Sequence, residues 1–280
     1  MAAAEAYTLS FSGAGHLLPY HLGVATRLLP YRHRLLAVAG SSAGAIAATV
    51  LSLVPHRLEE YSESFLEDRG HAFRILQQML HEEQMNDTNL QNRNLHLNVC
   101  TTKCSDGKMH LFSFATKTVT HPSQTDDVLK AVQASCIIPR SFHPFDMFSK
   151  QPLNFANEEG VDIDGAFYVD GGIAAPVPPT PLDKDPQCAG RIEVSPISGP
   201  TVPSSSTPIF SIRPNDHSLP LLPFSLTTTR CQPFSIRPSV QNVRAFVVSM
   251  GLAKPQVLRD WYQHGMDDAS EFVEMHWKME

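Results

Sequence analysis

Leu-Leu-Ala-Val-Ala-Gly-Ser-Ser-Ala-Gly-Ala-Ile-Ala-Ala-Thr-Val-Leu-Ser-Leu-Val, residues 35 to 54, decides how this chain reads. An apolar strand from Leu35 to Ala39 runs without a spacer into Gly40, Ser41, Ser42, Ala43 and Gly44, and then into an Ala-rich helix. That is G-x-S-x-G at a strand-to-helix turn, a context that strains the serine backbone and exposes its hydroxyl. The residues two before and two after the serine must lack bulk, and here both are glycine, Gly40 and Gly44. Ser42 is therefore a candidate nucleophile, weighed against an ordinary small-residue turn that packs a helix on a sheet.

Working towards the N-terminus, residues 7 to 11 read as a short strand ending in Ser12, Gly13, Ala14 and Gly15, with Pro19 in the first turn of a helix to about Leu29. A strand, a glycine turn and a helix N-terminus make an anion site. A dinucleotide phosphate would need a third glycine, where Leu18 stands, and an acidic residue about 20 positions on, and the chain has neither. An oxyanion hole built from the amides of Gly13, Ala14 and Gly15 needs only preorganised N–H groups, each worth about 3 kcal/mol of barrier.

Towards the C-terminus, the Ala-rich helix is followed by amphipathic stretches carrying Leu58, Tyr61, Phe65 and Leu66, then Phe73, Leu76, Met79 and Leu80 after a break at Gly70. A polar connector at 89 to 94 leads to a hairpin over 95 to 115, turned at Asp106 and Gly107, and then to a helix over 125 to 135. Residues 166 to 172 are a strand that delivers Asp170 at its end and turns on Gly171 and Gly172. A carboxylate there can be aimed across the mouth of a sheet at Ser42. Asp162 and Asp164 compete for that role.

Of the chain's 22 prolines, 14 fall between Ala174 and Pro238, so long helices and central strands are not expected there. Residues 192 to 195 read as a last short strand. Residues 198–237 then read as a surface excursion, and residues 238–280 return to helical periodicity as helices packed on the same domain.

Composition sets the limits. The 280 residues are 42% apolar and 18% charged, with a formal charge of -6 and no basic run, which argues against a nucleic-acid partner. Five scattered cysteines offer no zinc or redox pair, no metal or other cofactor is called for, and reduced thiols in the cytoplasm are expected. The first residues lack the charge and apolar run of a secretory signal, and no apolar stretch is long enough to span a bilayer. Any membrane or lipid-droplet contact is expected to be peripheral.

With the Gly13 turn, the Gly40-x-Ser42-x-Gly44 elbow and Asp170-Gly171-Gly172 in order, the chain resembles the patatin-like phospholipases over residues 7–197. It lies nearer the animal-type branch that includes adipose triglyceride lipase. Ala134-Ser135-x-x-Ile138-Pro139 and Tyr262-x-x-Gly265-x-Asp267-Asp268 add to the likeness. The resemblance implies a three-layer α/β/α sandwich around a mostly parallel sheet. It also implies a lipid acyl hydrolase acting on phospholipids, galactolipids or acylglycerols, with Ser42 as nucleophile, Asp170 as its base and no cofactor. Leu18 and Ala175 depart from the family pattern, standing where a glycine and an asparagine are usual. Two rivals remain: an α/β-hydrolase triad of Ser42, Asp170 and His264, and a lipid-surface protein of the same fold without turnover.

Overall fold

The computed structural model describes residues 5–68, 71–85, 95–117, 119, 122–143, 146, 148, 153–202, 207–228, 234–251 and 253–277. Gly70, the connector at 89 to 94, Ser204 to Ser206, Thr229 and Cys231 lie outside them.

Eight strands form one sheet in the order β5-β6-β3-β2-β1-β7-β8, with β4 also paired to β3. They are β1 (Ala6–Phe11), β2 (Leu35–Ser41), β3 (His96–Lys103), β4 (Met109–Ala115), β5 (Val161–Ile163), β6 (Ala166–Asp170), β7 (Cys188–Val194) and β8 (Ile209–Ile212). From β3 through β2, β1 and β7 to β8 the strands are parallel. By contrast, β4 and β6 run antiparallel to β3, and β5 antiparallel to β6. The sheet is thus mixed and mostly parallel, and helices flank it as the patatin-like arrangement requires.

The helices are α1 (Leu18–Leu28), α2 (Ala43–Leu53), α3 (Leu58–Glu67), α4 (Ala72–Met85), α5 (Pro122–Ser135), α6 (Val240–Ser249) and α7 (Pro255–His276). Alternate strand residues point to opposite faces. Leu9 and Phe11 of β1 and Ile192 and Val194 of β7 join one apolar core with Tyr20, Val50 and Trp261 of the helices. Every residue of α2 is buried, as its Ala-rich sequence allows. Helices α1 and α7 cross where both contribute glycine: a Cβ on Gly265 would collide with the Tyr20 carbonyl, and one on Gly23 with that of Tyr262. Tyr20 also donates to Asp268 (2.6 Å) and Tyr262 to Thr26 (3.0 Å), which gives the Tyr262 to Asp268 run its structural role.

The opposite face carries Thr8, Ser10 and Ser41, and the segment from 174 to 183 closes it. Their hydroxyls donate to Asp183, to the Pro178 carbonyl and to the Ala175 carbonyl, at 2.6 to 2.7 Å. Prolines 176, 178, 179 and 181 keep this cover extended, apart from short 3-10 turns at Gly171–Ile173 and Pro181–Lys184.

One expectation is corrected. The proline-rich stretch 198–237 is not solely a surface excursion, because β8 lies inside it and pairs with β7 at the sheet edge. An edge strand of four residues escapes the proline penalty, since Pro208 and Pro214 fall just outside it and only one side needs a ladder. Arg191 and Arg213 then clamp the edge through buried ion pairs with Asp183 (2.9 Å) and Glu193 (2.8 and 3.0 Å).

Register brings the chemistry together. Strand β4 lines one edge of β3 from His96 to Thr102, so β2 and β6 share the other edge, abutting end to end. Ser41 pairs with Cys100 and Asp170 with Thr101, which are consecutive residues of β3. Two strands far apart in sequence thus end within one residue of each other.

Candidate active site

At the end of β2 the chain must reverse into α2 within one residue, and Ser42 takes φ 53°, ψ −127° to do so. A β-carbon at such φ costs about 1 to 3 kcal/mol, held here by the surrounding packing. The turn closes only because its flanks are bare: a Cβ on Gly40 would overlap the Gly44 carbonyl, and one on Gly44 would lie 2.5 Å from the Phe11 carbonyl oxygen. Gly40→Ala is therefore expected to destabilise the protein by about 3 kcal/mol or more, measurable as a lowered denaturation midpoint.

The elbow is pinned by Ser135, which the sequence marks only as part of a family run. The Ser42 N–H donates to Ser135 Oγ (2.8 Å), and the Ser135 hydroxyl donates to the Cys100 carbonyl (2.6 Å). Ser135 closes α5, so a helix end, the elbow and β3 are tied through one hydroxyl. Its position just before Ile138-Pro139 marked the helix end but could not mark its partner.

Asp170 is buried, and its Oδ1 accepts from the Gly172 N–H at 2.7 Å. This turn is tight at Gly172, where a Cβ would stand 3.0 Å from the same oxygen. The Asp170 N–H is held by the Ile137 carbonyl (2.8 Å), which fixes the backbone from which the carboxylate projects. Burial raises its pKa from 3.8 to about 6, opposed by hydrogen bonds from the Ser42 hydroxyl and the Gly172 N–H. The half-buried Ser42 hydroxyl therefore lies near enough to the Asp170 carboxylate to lower its pKa, as the adjoining β3 register positions of the two strands require.

The glycine turn lies on their other side. Gly13 sits so close that a Cβ would be 3.6 Å from that of Ser42. Its N–H, however, donates to the Pro176 carbonyl (3.0 Å), so of the three amides expected at an oxyanion hole one is already engaged. The Ser12 carbonyl is held by the buried His21 Nε2 at 2.8 Å. Both ends of the Ser12–Gly13 peptide are therefore fixed, and the Ala14 and Gly15 amides follow from it, Gly15 taking φ +53°. Burial lowers the His21 pKa to about 4, only partly countered by the Ser12 hydrogen bond, so the ring is neutral and acts as a donor to that carbonyl. Leu18 is fully buried in the main core.

Other candidates are placed elsewhere. Asp162 and Asp164 are exposed at the β5–β6 turn, at the far end of β6 from Asp170, with Asp162 accepting from the Gly165 N–H. His264 is exposed on α7, its ring edge-on to Trp261.

A family model for patatin-like phospholipases matches residues 9–183, the span that holds the elbow, both glycine turns and Asp170. The chain belongs to the patatin-like phospholipase family. Among curated relatives, human patatin-like phospholipase domain-containing protein 4 is 27% identical over 217 residues, covering 67% of this chain and 74% of that protein. Mouse patatin-like phospholipase domain-containing protein 2 is 26% identical over 284 residues, 95% of this chain but 50% of its own length. This patatin-like chain therefore spans about half the length of that relative. A crystal structure of VipD from Legionella pneumophila aligns with a TM-score of 0.48 at 14% identity, over 98% of this chain and 68% of that one. Among the described residues, no helix of this family member is long and apolar enough to cross a membrane.

Proposed function

We propose that the protein hydrolyses carboxylic esters of lipids through a Ser42–Asp170 dyad and an acyl-enzyme. The observation that carries this reading is a serine in a strained elbow whose strand ends one β3 position from that of a buried carboxylate raised to about 6. An exposed aspartate would be a feeble base; one near 6 is ionised at neutral pH yet a stronger proton acceptor. Asp170 takes the Ser42 proton as Oγ attacks the ester carbonyl, and the alcohol leaves with that proton. Water, deprotonated by the same carboxylate, then attacks the acyl carbonyl, and that proton passes to Ser42 Oγ as the acid leaves.

The developing oxyanion would be met by the Ala14 and Gly15 amides, with the N-terminal end of α2 adding its dipole behind Ser42. No cofactor is needed in these steps. Phospholipids, galactolipids and acylglycerols all present the ester this chemistry uses.

A fluorophosphonate probe is expected to label Ser42 in the folded protein and to leave Ser42→Ala unlabelled; an unlabelled parent would instead favour a lipid-surface protein without turnover. His264→Ala is expected to keep its activity within about twofold, since the ring sits with Trp261 on α7. A loss as large as that of Ser42→Ala would restore the triad.

A further inference from the structure

Among the described residues, most of the exposed large apolar side chains sit on α6 and the loop before it. Leu219, Leu221 and Phe224 of the loop and Val243, Phe246 and Met250 of α6 are exposed, Leu219 at 77% and Met250 at 64%. Sequence and backbone make them one face. On α6, Asn242, Ala245 and Val248 turn inward, leaving the opposite side of the helix apolar as well. The loop is tied to the start of that helix by the Leu221 N–H to the Pro238 carbonyl (2.8 Å) and by a Pro220–Ser239 bridge. Such a face on a folded chain marks a contact surface.

Its charge says what it contacts. Residues 217–259 hold five basic residues, Arg230, Arg237, Arg244, Lys254 and Arg259, and not one of the chain's 28 acidic residues. Arg244 is exposed on α6, Lys254 just after it and Arg259 on α7. In a chain of net charge -6 this is a local reversal of sign. Apolar side chains rimmed by cations suit an anionic lipid surface, which offers acyl chains and phosphates together. A two-fold dimer through the same face would set these cations against themselves.

The face also leads to the site. The C-terminal end of α6 rests on the glycine turn: a Cβ on Gly15 would lie 2.5 Å from the Ser249 carbonyl oxygen, and one on Gly251 3.1 Å from the His16 ring. We infer that α6 and the 219–226 loop form the docking surface by which the protein sits on an anionic phospholipid surface, bringing the Ser42 side of the molecule to lipid. The inference rests on the proposed hydrolase for its purpose, but its test does not.

The full chain carrying Ser42→Ala is expected to co-sediment with vesicles of equal parts phosphatidylcholine and phosphatidylserine, and less with phosphatidylcholine alone. Adding Phe224→Ser with Phe246→Ser, or Arg244→Glu with Lys254→Glu, is expected to weaken that binding at least about tenfold. With Ser42 intact, the same pairs should leave hydrolysis of a water-soluble short-chain ester unchanged, which also reports that they fold. Undiminished vesicle binding by both pairs would overturn the assignment. So would a parent that ignores vesicles but sediments as a dimer broken by these substitutions. A protein inert on the soluble ester that still binds vesicles through this face would sink the hydrolase and leave the docking surface standing.

Discussion

Asp170→Asn is expected to cost the protein its esterase activity, by about 10² to 10⁴ in kcat, and to make it more stable at neutral pH. The sign follows from the carboxyl. Its pKa is 3.8 when free and about 6 when buried, so between those values the folded state holds the proton that the unfolded state has lost. Stability therefore falls as pH rises through that window, and above it the buried charge costs about 3 kcal/mol. Asparagine keeps an oxygen for the Gly172 N–H and removes the charge. The melting temperature at pH 7 should rise, with the gain gone by about pH 4.

His21 works in the other direction. Its pKa falls from 6.5 to about 4 on burial, so in that window the unfolded state binds more protons and stability is lost as pH falls. The two windows overlap, and in the parent protein these two contributions offset one another. Asp170→Asn should expose the His21 slope, about 3 kcal/mol lost between pH 6.5 and 4. Calorimetry across pH 4 to 7 checks both, and activity of the parent should fall with an apparent pKa near 6. An Asp170→Asn protein with unchanged stability at pH 7 would mean that the carboxylate is not destabilised where it sits.

Ser42→Ala and Ser42→Gly should both lose activity by at least about 10³-fold, and they should differ in stability. Alanine keeps the β-carbon at φ 53° and with it the strain; glycine removes both. At this position Gly is expected to exceed Ala in stability by about 1 kcal/mol, the reverse of their order in a helix. Either change also removes one of the two hydrogen bonds that lower the Asp170 pKa, so that carboxyl should titrate above 6, readable by NMR of a side-chain-labelled sample.

How far the sequence could lead is seen in particular residues. Ser42 and Asp170 were legible because each needs a local pattern, a glycine-flanked elbow and a strand ending on two glycines. Their contact was not local: it depends on β2 and β6 meeting on one edge of β3, and register leaves no mark in a single chain. Ser135 was hidden for the same reason, since a serine at a helix end is common and its two partners lie 93 and 35 residues away. The Gly13 amide shows the reverse case. Its glycine suggested a free donor, and a proline carbonyl from a distant extended segment engages it. In β8 composition misled, because prolines crowd the stretch yet fall beside the strand rather than in it.

The end-to-end meeting of β2 and β6 has a consequence for how the protein is made. A ribosome delivers the elbow early and Asp170 only 128 positions later, after the hairpin of β3 and β4 on which both strands must align. A chain stalled anywhere before β6 carries Ser42 without the Asp170 carboxylate that the proposed mechanism pairs with it. Two long-range closures onto β3, both slow by nature, stand between synthesis and reactivity. On the proposed dyad, an unfinished copy would lack the pairing that cleaves an ester until β6 takes its place on β3.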